Sequence, residues 1–222
     1  MKVLLFGATG MVGQGVLREC LLDENVQLVQ TVGRTALGVA HRKLRDVVHS
    51  DLLHYDALEG SLSGFDACFF CLGVTSSGMS EQDYERVTYG ITLATAEVLC
   101  RLNPQMSFIY VSGAGTDSSE RGRTMWARVK GKTENALLRL PFSAAYMFRP
   151  GIIEPLDGIR SRTVAYRVFY AVARPLLPLL RLVIPNQVLT TRQIGRAMLR
   201  VAAHGWPAAV LETRDIRAAA KL

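Results

Sequence analysis

Residues 3–13 read Val3-Leu4-Leu5-Phe6-Gly7-Ala8-Thr9-Gly10-Met11-Val12-Gly13, so that three spaced glycines separate an apolar run from the amphipathic segment Met11–Leu22. This order is typical of a strand, a tight turn and a helix, in which glycines permit the turn, the approach of a pyrophosphate and close packing of the helix. The first turn of such a helix presents free backbone N–H groups to an anion. The stretch predicts a dinucleotide-binding turn, and the alternative is a glycine-rich turn without a ligand. The residues predicted to line the site are Gly7, Thr9, Gly10, Met11, Val12 and Gly13.

Apolar runs alternate with helical patterns through the rest of the chain, which is typical of an α/β fold with a parallel sheet. The runs are rich in Val, Leu, Ile and Phe, as expected for strands covered by helices on both faces. The predicted strands are Lys2–Phe6, Val26–Val32, Leu44–His49, Asp66–Leu72, Ser107–Ser112, Ala145–Arg149 and Ala209–Glu212. The predicted helices are Met11–Leu22, Ser80 to Asn103, Ser119 to Leu140, 161–184 and 190–204, followed by a short helix capped by Thr213.

These elements predict one doubly wound Rossmann domain over residues 1–222, with about 150–205 contributing helices on the substrate side. The composition, 49% hydrophobic and 20% charged, excludes a disordered chain. The four cysteines are too few and too irregularly spaced for a secreted disulfide framework, and Met1-Lys2 leads into a strand without a signal-peptide core, so we expect a cytoplasmic protein. Cys68 and Cys71 lie three apart in a strand and therefore face opposite ways, which favours buried thiols over a redox or zinc pair, and we expect no metal site.

The net charge of +7 is unevenly distributed, with −6 over residues 1–120 and +13 over residues 121–222. We do not expect a nucleic-acid partner, because no zinc-finger spacing, aromatic ribonucleoprotein motif or dense basic run accompanies this charge. Arginines instead recur every seven residues in the predicted helices 160–184. This stripe is consistent with a solvated face on helices that cover the cleft or build a homodimer, and alternatively with peripheral membrane contact. The arginines of the stripe are Arg160, Arg167, Arg174 and Arg181.

Residues after the second and third strands indicate the choice of nucleotide. NAD-preferring sites place an acidic residue after the second strand, whereas this chain has Arg34. A guanidinium suits a 2′-phosphate, so we predict NADP(H) as cofactor in preference to NAD(H); the alternative is an exposed loop arginine. Asp51 and Leu52 follow the third strand, where the carboxylate can accept from the adenine amino group or, as an alternative, cap a helix.

Four motifs together give the chain a family resemblance: the glycine turn, Cys71-Leu72-Gly73-Val74-Thr75, residues Val129–Glu134, and Phe148-Arg149-Pro150-Gly151. With them the sequence resembles the atypical short-chain dehydrogenase/reductases, and within these the NmrA-like and Tat-interacting-regulator-like branch. The resemblance implies a compact Rossmann domain with bound NADP(H). It also implies roles for single residues. Leu72, Gly73, Pro150 and Gly151 would flank the cofactor, Lys130 would hydrogen-bond the nicotinamide ribose, and Ser112 would polarise a substrate carbonyl.

The sequence departs from that family at one catalytic position. Enzyme members carry a tyrosine four residues before the lysine, and this chain has Trp126 there. An indole N–H donates a hydrogen bond but does not exchange a proton near neutral pH. Ser112 is equally consistent with a turn serine, and Arg149 with a surface arginine in a rigid loop. The candidates to replace the tyrosine are a water molecule, Tyr84, Tyr89, Thr75, Ser76 and Ser77.

Two functions follow from this pattern. The first is an NADP-dependent oxidoreductase acting on a small carbonyl or alcohol, with Lys130 and Ser112 placing cofactor and substrate. The second is a catalytically silent NADP(H)-sensing regulator or adaptor, which Trp126 favours.

Overall fold

Seven parallel strands form the main sheet of this computed structural model, which describes residues 1–159 and 187–221. A separate short parallel pair is formed by β7 (Ile152–Glu154) and β8 (Val188–Thr190). The strands of the main sheet are β1 (Lys2–Phe6), β2 (Leu28–Gly33), β3 (Leu44–Val48), β4 (Ala67–Phe70), β5 (Ser107–Val111), β6 (Ala144–Arg149) and β9 (Val210–Glu212). Their order is β3-β2-β1-β4-β5-β6-β9. Strands β2 and β3 lie on one side of β1, and the later strands, beginning with β4, lie on the other side. This change of side between β1 and β4 opens a crevice at the carboxyl ends of the strands.

Helices cover both faces of this sheet. They are α1 (Met11–Leu22), α2 (Glu81–Glu85), α3 (Ile91–Leu102), α4 (Met125–Arg139), α5 (Thr191–His204) and α6 (Thr213–Ala219), with a 3₁₀ helix at Asp56–Ser61. A π-helical turn, Arg86–Gly90, joins α2 to α3. Ser80 caps α2 by accepting from the Asp83 N–H at 3.1 Å, and Thr190 with Gln193 forms a capping box on α5.

The core consists of one apolar cluster on each face of the sheet, because successive strand residues point to opposite faces. In β1, Val3 and Leu5 belong to the first cluster, while Leu4 and Phe6 belong to the second. All four side chains are fully buried. Each large apolar side chain removed from water contributes about 2 kcal/mol to folding, so these clusters hold the carboxyl edge of the sheet in place.

The cysteines of the β4 region follow the same alternation. Cys68 is buried in the second cluster, and Cys71 packs against the first. Burial raises the pKa of both thiols, which keeps them protonated. The prediction of a buried thiol is therefore confirmed for Cys68, whereas Cys71 is partly exposed. Within residues 1–159 and 187–221, no group of three or more His, Cys, Asp and Glu side chains is placed to hold a metal ion.

The seven predicted strands are confirmed, with ends that differ by at most two residues. The prediction of a helix from Ser119 was wrong, since α4 begins at Met125. The Asp117 carboxylate accepts the N–H groups of Ser119 and Gly122 at 3.0 and 2.6 Å, and this turn keeps residues 117–122 out of the helix.

Three further expectations need correction or lie outside the structure. Glu212, and not Thr213, is the N-cap of α6, where it forms a capping box with Asp215. The predicted helix from Ser80 to Asn103 is interrupted by the π-helical turn. The predicted helices 161–184 and their arginine stripe lie outside the described residues. In the part of the chain that the structure describes, none of the helices has the length and apolar character needed to cross a membrane.

Candidate functional site

At two of the three glycines in the glycine turn, nearby backbone atoms leave no space for a side chain. Gly7 has a φ of +79°, and a Cβ there would lie 2.5 Å from the Leu72 backbone nitrogen. A Cβ on Gly13 would lie 2.7 Å from the Gly7 carbonyl carbon, because α1 packs directly on the turn. A Cβ on Gly10 would meet only the Gly7 carbonyl oxygen, at 3.3 Å. Gly7 and Gly13 are thus required by packing, whereas Gly10 leaves an open approach to the backbone.

The N-terminus of α1 retains its capacity to bind an anion. Gly10 is the N-cap residue, no side chain caps the helix, and its first turn contains no acidic residue. The backbone N–H groups at Met11, Val12 and Gly13 and the positive end of the helix dipole therefore have no negative side chain of their own helix beside them. The Gln14 side chain donates to the Thr9 carbonyl at 3.0 Å, which ties the turn to the helix.

Arg34 lies at the carboxyl end of β2, next to β1 and therefore beside the glycine turn. It is exposed and makes no salt bridge within the described ranges 1–159 and 187–221. The loop that follows is anchored by Asp46, which accepts from the Thr31 hydroxyl at 2.6 Å and from the Leu37 N–H at 2.7 Å. Between this loop, the turn and the outer face of α1 lies a cavity of about 580 Å³, lined in part by Thr9 and His41.

Asp51 and Leu52 follow β3, as predicted, and their contact with the adenine of a cofactor remains a prediction. Asp51 accepts from the Leu53 N–H at 3.0 Å and pairs with His54 at 2.8 Å. The His54 side chain and the Leu53 N–H lower the pKa of Asp51, and Asp51 in turn raises the pKa of His54. The helix-cap interpretation was wrong, because Asp51 forms a turn and the next helical turn starts at Asp56. The Leu52 side chain is buried in the second core cluster.

Two large apolar side chains near this edge were missed by the sequence analysis. Leu53, which follows β3, is 41% exposed, and Val74, which follows β4 and the predicted contacts Leu72 and Gly73, is 37% exposed. Exposed apolar groups at the carboxyl ends of parallel strands are suited to the flat faces of a bound base. In the sequence, Leu53 directly follows Asp51 and Leu52, and Val74 directly follows Leu72 and Gly73, so each comes right after residues predicted to bind the cofactor.

Ser112 and Lys130 come together at the end of β5. The Lys130 ammonium donates to the Ser112 carbonyl. Burial lowers the pKa of Lys130 to about 8, although the nearby Glu134 carboxylate acts to raise it. The Ser112 hydroxyl donates to the Phe148 carbonyl of β6 at 3.1 Å. Ser112 is therefore held by backbone contacts, and its contact with a substrate remains a prediction.

Arg149 is held inside the protein. Its guanidinium binds the Glu134 carboxylate of α4, with Nε 3.0 and 3.2 Å from the two oxygens, and also contacts Glu212 at 3.2 Å. The surface-arginine interpretation was therefore wrong. The neighbouring Pro150 carbonyl accepts from the Ala114 N–H at 2.9 Å, and the Gly151 N–H donates to the Thr213 hydroxyl at 2.9 Å. We call Ser112, Lys130, Glu134 and Arg149 the lysine junction.

The residue in the tyrosine position and the candidates to replace the tyrosine differ in how far they are exposed to solvent. Trp126 is half-buried one helical turn before Lys130. Tyr84 is fully buried, which removes it from a solvent-facing cleft. Tyr89 lies under Lys132, whose ammonium is 4.8 Å from the ring centre. Thr75 and Ser77 are exposed after β4, where the Thr75 hydroxyl accepts from the Ser77 N–H at 3.3 Å.

The parallel sheet, the crevice beside β1 and the glycine turn define an NAD(P)-binding Rossmann protein of the short-chain dehydrogenase/reductase type. The chain belongs to the NAD dependent epimerase/dehydratase family, whose model matches residues 3–123. The matched stretch contains the glycine turn and Ser112 and ends before Lys130. The resemblance to atypical members of these enzymes is confirmed.

Curated relatives and solved structures agree with this assignment. The chain is 27% identical over 151 residues to "Protein FMP52-2, mitochondrial" of Scheffersomyces stipitis, a match covering 67% of this chain and 65% of the relative. It is 27% identical over 155 residues to "Protein HTATIP2" of Rattus norvegicus, covering 68% and 62%. The matched region thus spans less than two thirds of either relative.

Two bacterial structures share the fold. The enzyme WbmF of Bordetella bronchiseptica, in complex with NAD+ and UDP, superimposes with a TM-score of 0.68 at 18% identity, covering 96% of this chain and 71% of that one. DesIV, a dTDP-glucose 4,6-dehydratase of Streptomyces venezuelae with NAD and TYD bound, gives a TM-score of 0.70 at 15% identity, covering 96% and 75%. At these identities the similarity concerns the fold alone.

Proposed function

We propose that this protein is an NADP(H)-binding oxidoreductase that acts on a small carbonyl or alcohol. The observation that carries the proposal is the glycine turn, where Gly7 and Gly13 are locked by packing while Gly10 and the α1 N-terminus stay open to an anion. An approaching ligand accounts for a glycine at Gly10, since a Cβ there would contact only the Gly7 carbonyl oxygen, at 3.3 Å. The residues present therefore fit the pyrophosphate of a dinucleotide.

The preference for NADP(H) rests on Arg34. Its guanidinium is exposed beside the glycine turn and has no salt bridge among the described residues, so it is available for a 2′-phosphate. We expect 2′,5′-ADP to bind at least tenfold more tightly than 5′-ADP to the wild-type protein, and Arg34→Ala to abolish the difference. Arg123→Ala, which removes an exposed arginine from the loop before α4, is the matched control. Equal binding of the two nucleotides to the wild-type protein would remove the basis for the preference.

The bound cofactor would supply or accept a hydride, and the lysine junction would serve its nicotinamide end. Lys130 offers a cation there, fixed by its hydrogen bond to the Ser112 carbonyl. The Pro150–Gly151 turn is held by two hydrogen bonds, one from the Ala114 N–H to the Pro150 carbonyl and one from the Gly151 N–H to the Thr213 hydroxyl, so it can flank a ring without moving. Polarisation of a substrate carbonyl by Ser112 would require its hydroxyl to share or leave its bond to Phe148. These residues would place the reactants, and the proton would come from one of the candidates other than the fully buried Tyr84.

A silent NADP(H)-sensing regulator is the second candidate, favoured by Trp126 and by the burial of Tyr84. The two functions differ in turnover. For the oxidoreductase we expect NADPH absorbance to fall when one of a panel of aldehydes and ketones is added. For the sensor we expect tight NADPH binding without turnover, both in the wild-type protein and in Trp126→Tyr. Turnover created by Trp126→Tyr would show that the cleft can still handle a substrate.

A further inference from the structure

A buried ion pair connects α4 to the last strand residue of β6. The Glu134 side chain is 1% exposed and that of Arg149 is 11% exposed. Both oxygens of the Glu134 carboxylate accept from the Arg149 Nε–H, and the Arg149 Nη2 also donates to this carboxylate. A buried charge is costly unless it is paired and hydrogen-bonded, and Arg149 supplies both the counter-charge and the hydrogen bonds for Glu134.

Arg149 is itself fixed from three further directions. Its Nη2 donates to the Ser118 hydroxyl at 2.5 Å, its Nη1 is 3.2 Å from Glu212, and its carbonyl accepts from the Thr213 hydroxyl at 3.3 Å. A guanidinium held at each of its nitrogens has one orientation. The Glu134 carboxylate that it binds is therefore held in one position relative to α4.

Glu134 lies one helical turn after Lys130, so both side chains project from the same face of α4. Burial lowers the pKa of Lys130 to about 8, and the Glu134 charge opposes that shift. Other titratable groups adjoin this pair from neighbouring elements. Tyr110 of β5 interacts with Glu134 and with Tyr84 of α2, and burial raises the pKa of Tyr110, so this phenol stays neutral. Glu134 is thus the negative charge that acts on Lys130.

We propose that Glu134 is a positioning residue that keeps the Lys130 ammonium charged in its partly buried site, while Arg149 holds the Glu134 carboxylate in the place this requires. The proposal deepens the proposed function, since a charged Lys130 is what serves the cofactor there. It also assigns Arg149 a role in setting the charge of Lys130. With Trp126 in the tyrosine position, the charge of Lys130 depends on Glu134 and not on a neighbouring phenolate.

The test follows the protonation of Lys130 directly, without nucleotide. The full-length protein is labelled with lysine carrying ¹³C at the ε carbon, the Lys130 signal is assigned with Lys130→Arg, and its shift is followed by NMR against pH. We expect a midpoint near pH 8 in the wild-type protein. In Glu134→Gln we expect the midpoint to fall by about 1 pH unit, because burial is then unopposed. Glu85→Gln is the matched control, since it removes the partner of Lys132 on the same helix and should leave Lys130 unchanged.

A second variant guards against misfolding of Glu134→Gln. Arg149→Met removes the guanidinium that holds the Glu134 carboxylate in place and balances its buried charge, so the Lys130 midpoint should also fall. An unchanged Lys130 midpoint in whichever of these variants keeps the wild-type fold would overturn the proposal. Because the titration uses no cofactor, its outcome is separate from that of nucleotide binding. A protein that fails to bind NADPH but shows both shifts would refute the proposed function and leave the coupling of Glu134 to Lys130 intact.

Discussion

The glycine turn and the lysine junction lie at the same edge of the sheet but are built from different contacts. The turn is a backbone structure, in which Gly7 and Gly13 are required because atoms of the main chain leave no space for a side chain. The junction is a side-chain structure, in which Lys130, Glu134 and Arg149 are joined by charge and hydrogen bonds. We infer that Gly7 and Gly13 tolerate almost no substitution, whereas the junction tolerates changes that keep its charges balanced.

The largest effect is expected at the turn. Gly13→Ala places a methyl group against the Gly7 carbonyl, which is backbone and cannot rotate away. Overpacking of this kind should lower the free energy of unfolding by about 3 kcal/mol or more, measured by urea denaturation. Gly73→Ala is the control, because a Cβ there meets nothing within 4 Å. If Gly13→Ala were as stable as this control, the turn would not be packed as described.

A loss of similar size is expected when the junction loses one charge. Arg149→Met leaves Glu134 buried without its partner and should lower the free energy of unfolding by about 3 kcal/mol. The double variant Arg149→Met, Glu134→Met removes both charges and should regain most of that loss. Urea denaturation of the two variants measures the difference. Equal losses in the single and double variants would mean that the pair is not the source of the effect.

The pH dependence of stability should show the buried lysine. The pKa of Lys130 is lower when folded than its ordinary value of 10.5, so the unfolded chain binds more protons between about pH 8 and 10.5. Stability contributed by this residue should therefore rise with pH across that window, by at most about 1.4 kcal/mol per pH unit. The wild-type protein should gain stability over Lys130→Met from pH 8 to 10. Parallel curves for the two proteins would show that Lys130 is not buried when folded.

The smallest effect on stability is expected at Gly10, although its effect on binding is large. Gly10→Ala should lower the free energy of unfolding by only about 1 kcal/mol, because its Cβ would contact just the Gly7 carbonyl oxygen, at 3.3 Å, and alanine is a poorer N-cap residue than glycine. It should nevertheless weaken NADPH binding by about tenfold or more, since the methyl group faces the approaching phosphate. Fluorescence titration with NADPH measures this. If Gly10→Ala bound NADPH with unchanged affinity, the glycine turn would not be part of the cofactor site.

The two regions also differ in how far they could be predicted. The turn and the strands depend on local patterns, and the boundaries of α1 agree with those read from the sequence. The lysine junction depends on pairings between distant residues. Arg149 contacts Glu134, 15 positions away, and Glu212, 63 positions away, and neither pairing has a local signal. The predicted helix start at Ser119 was wrong for a related reason. The Asp117 side chain accepts from backbone N–H groups of the turn before α4, and this local competition with helix formation was not recognised in the sequence.

The central claim is that the open glycine turn, together with Arg34, binds NADP(H). Calorimetric titration of the purified protein with NADPH and with NADH, at one salt concentration, tests it most directly, with Arg34→Ala alongside. We predict that NADPH binds more tightly than NADH and that Arg34→Ala brings the two affinities together. Binding of neither nucleotide to the wild-type protein would contradict the account, because the turn would then be a Rossmann scaffold without its ligand.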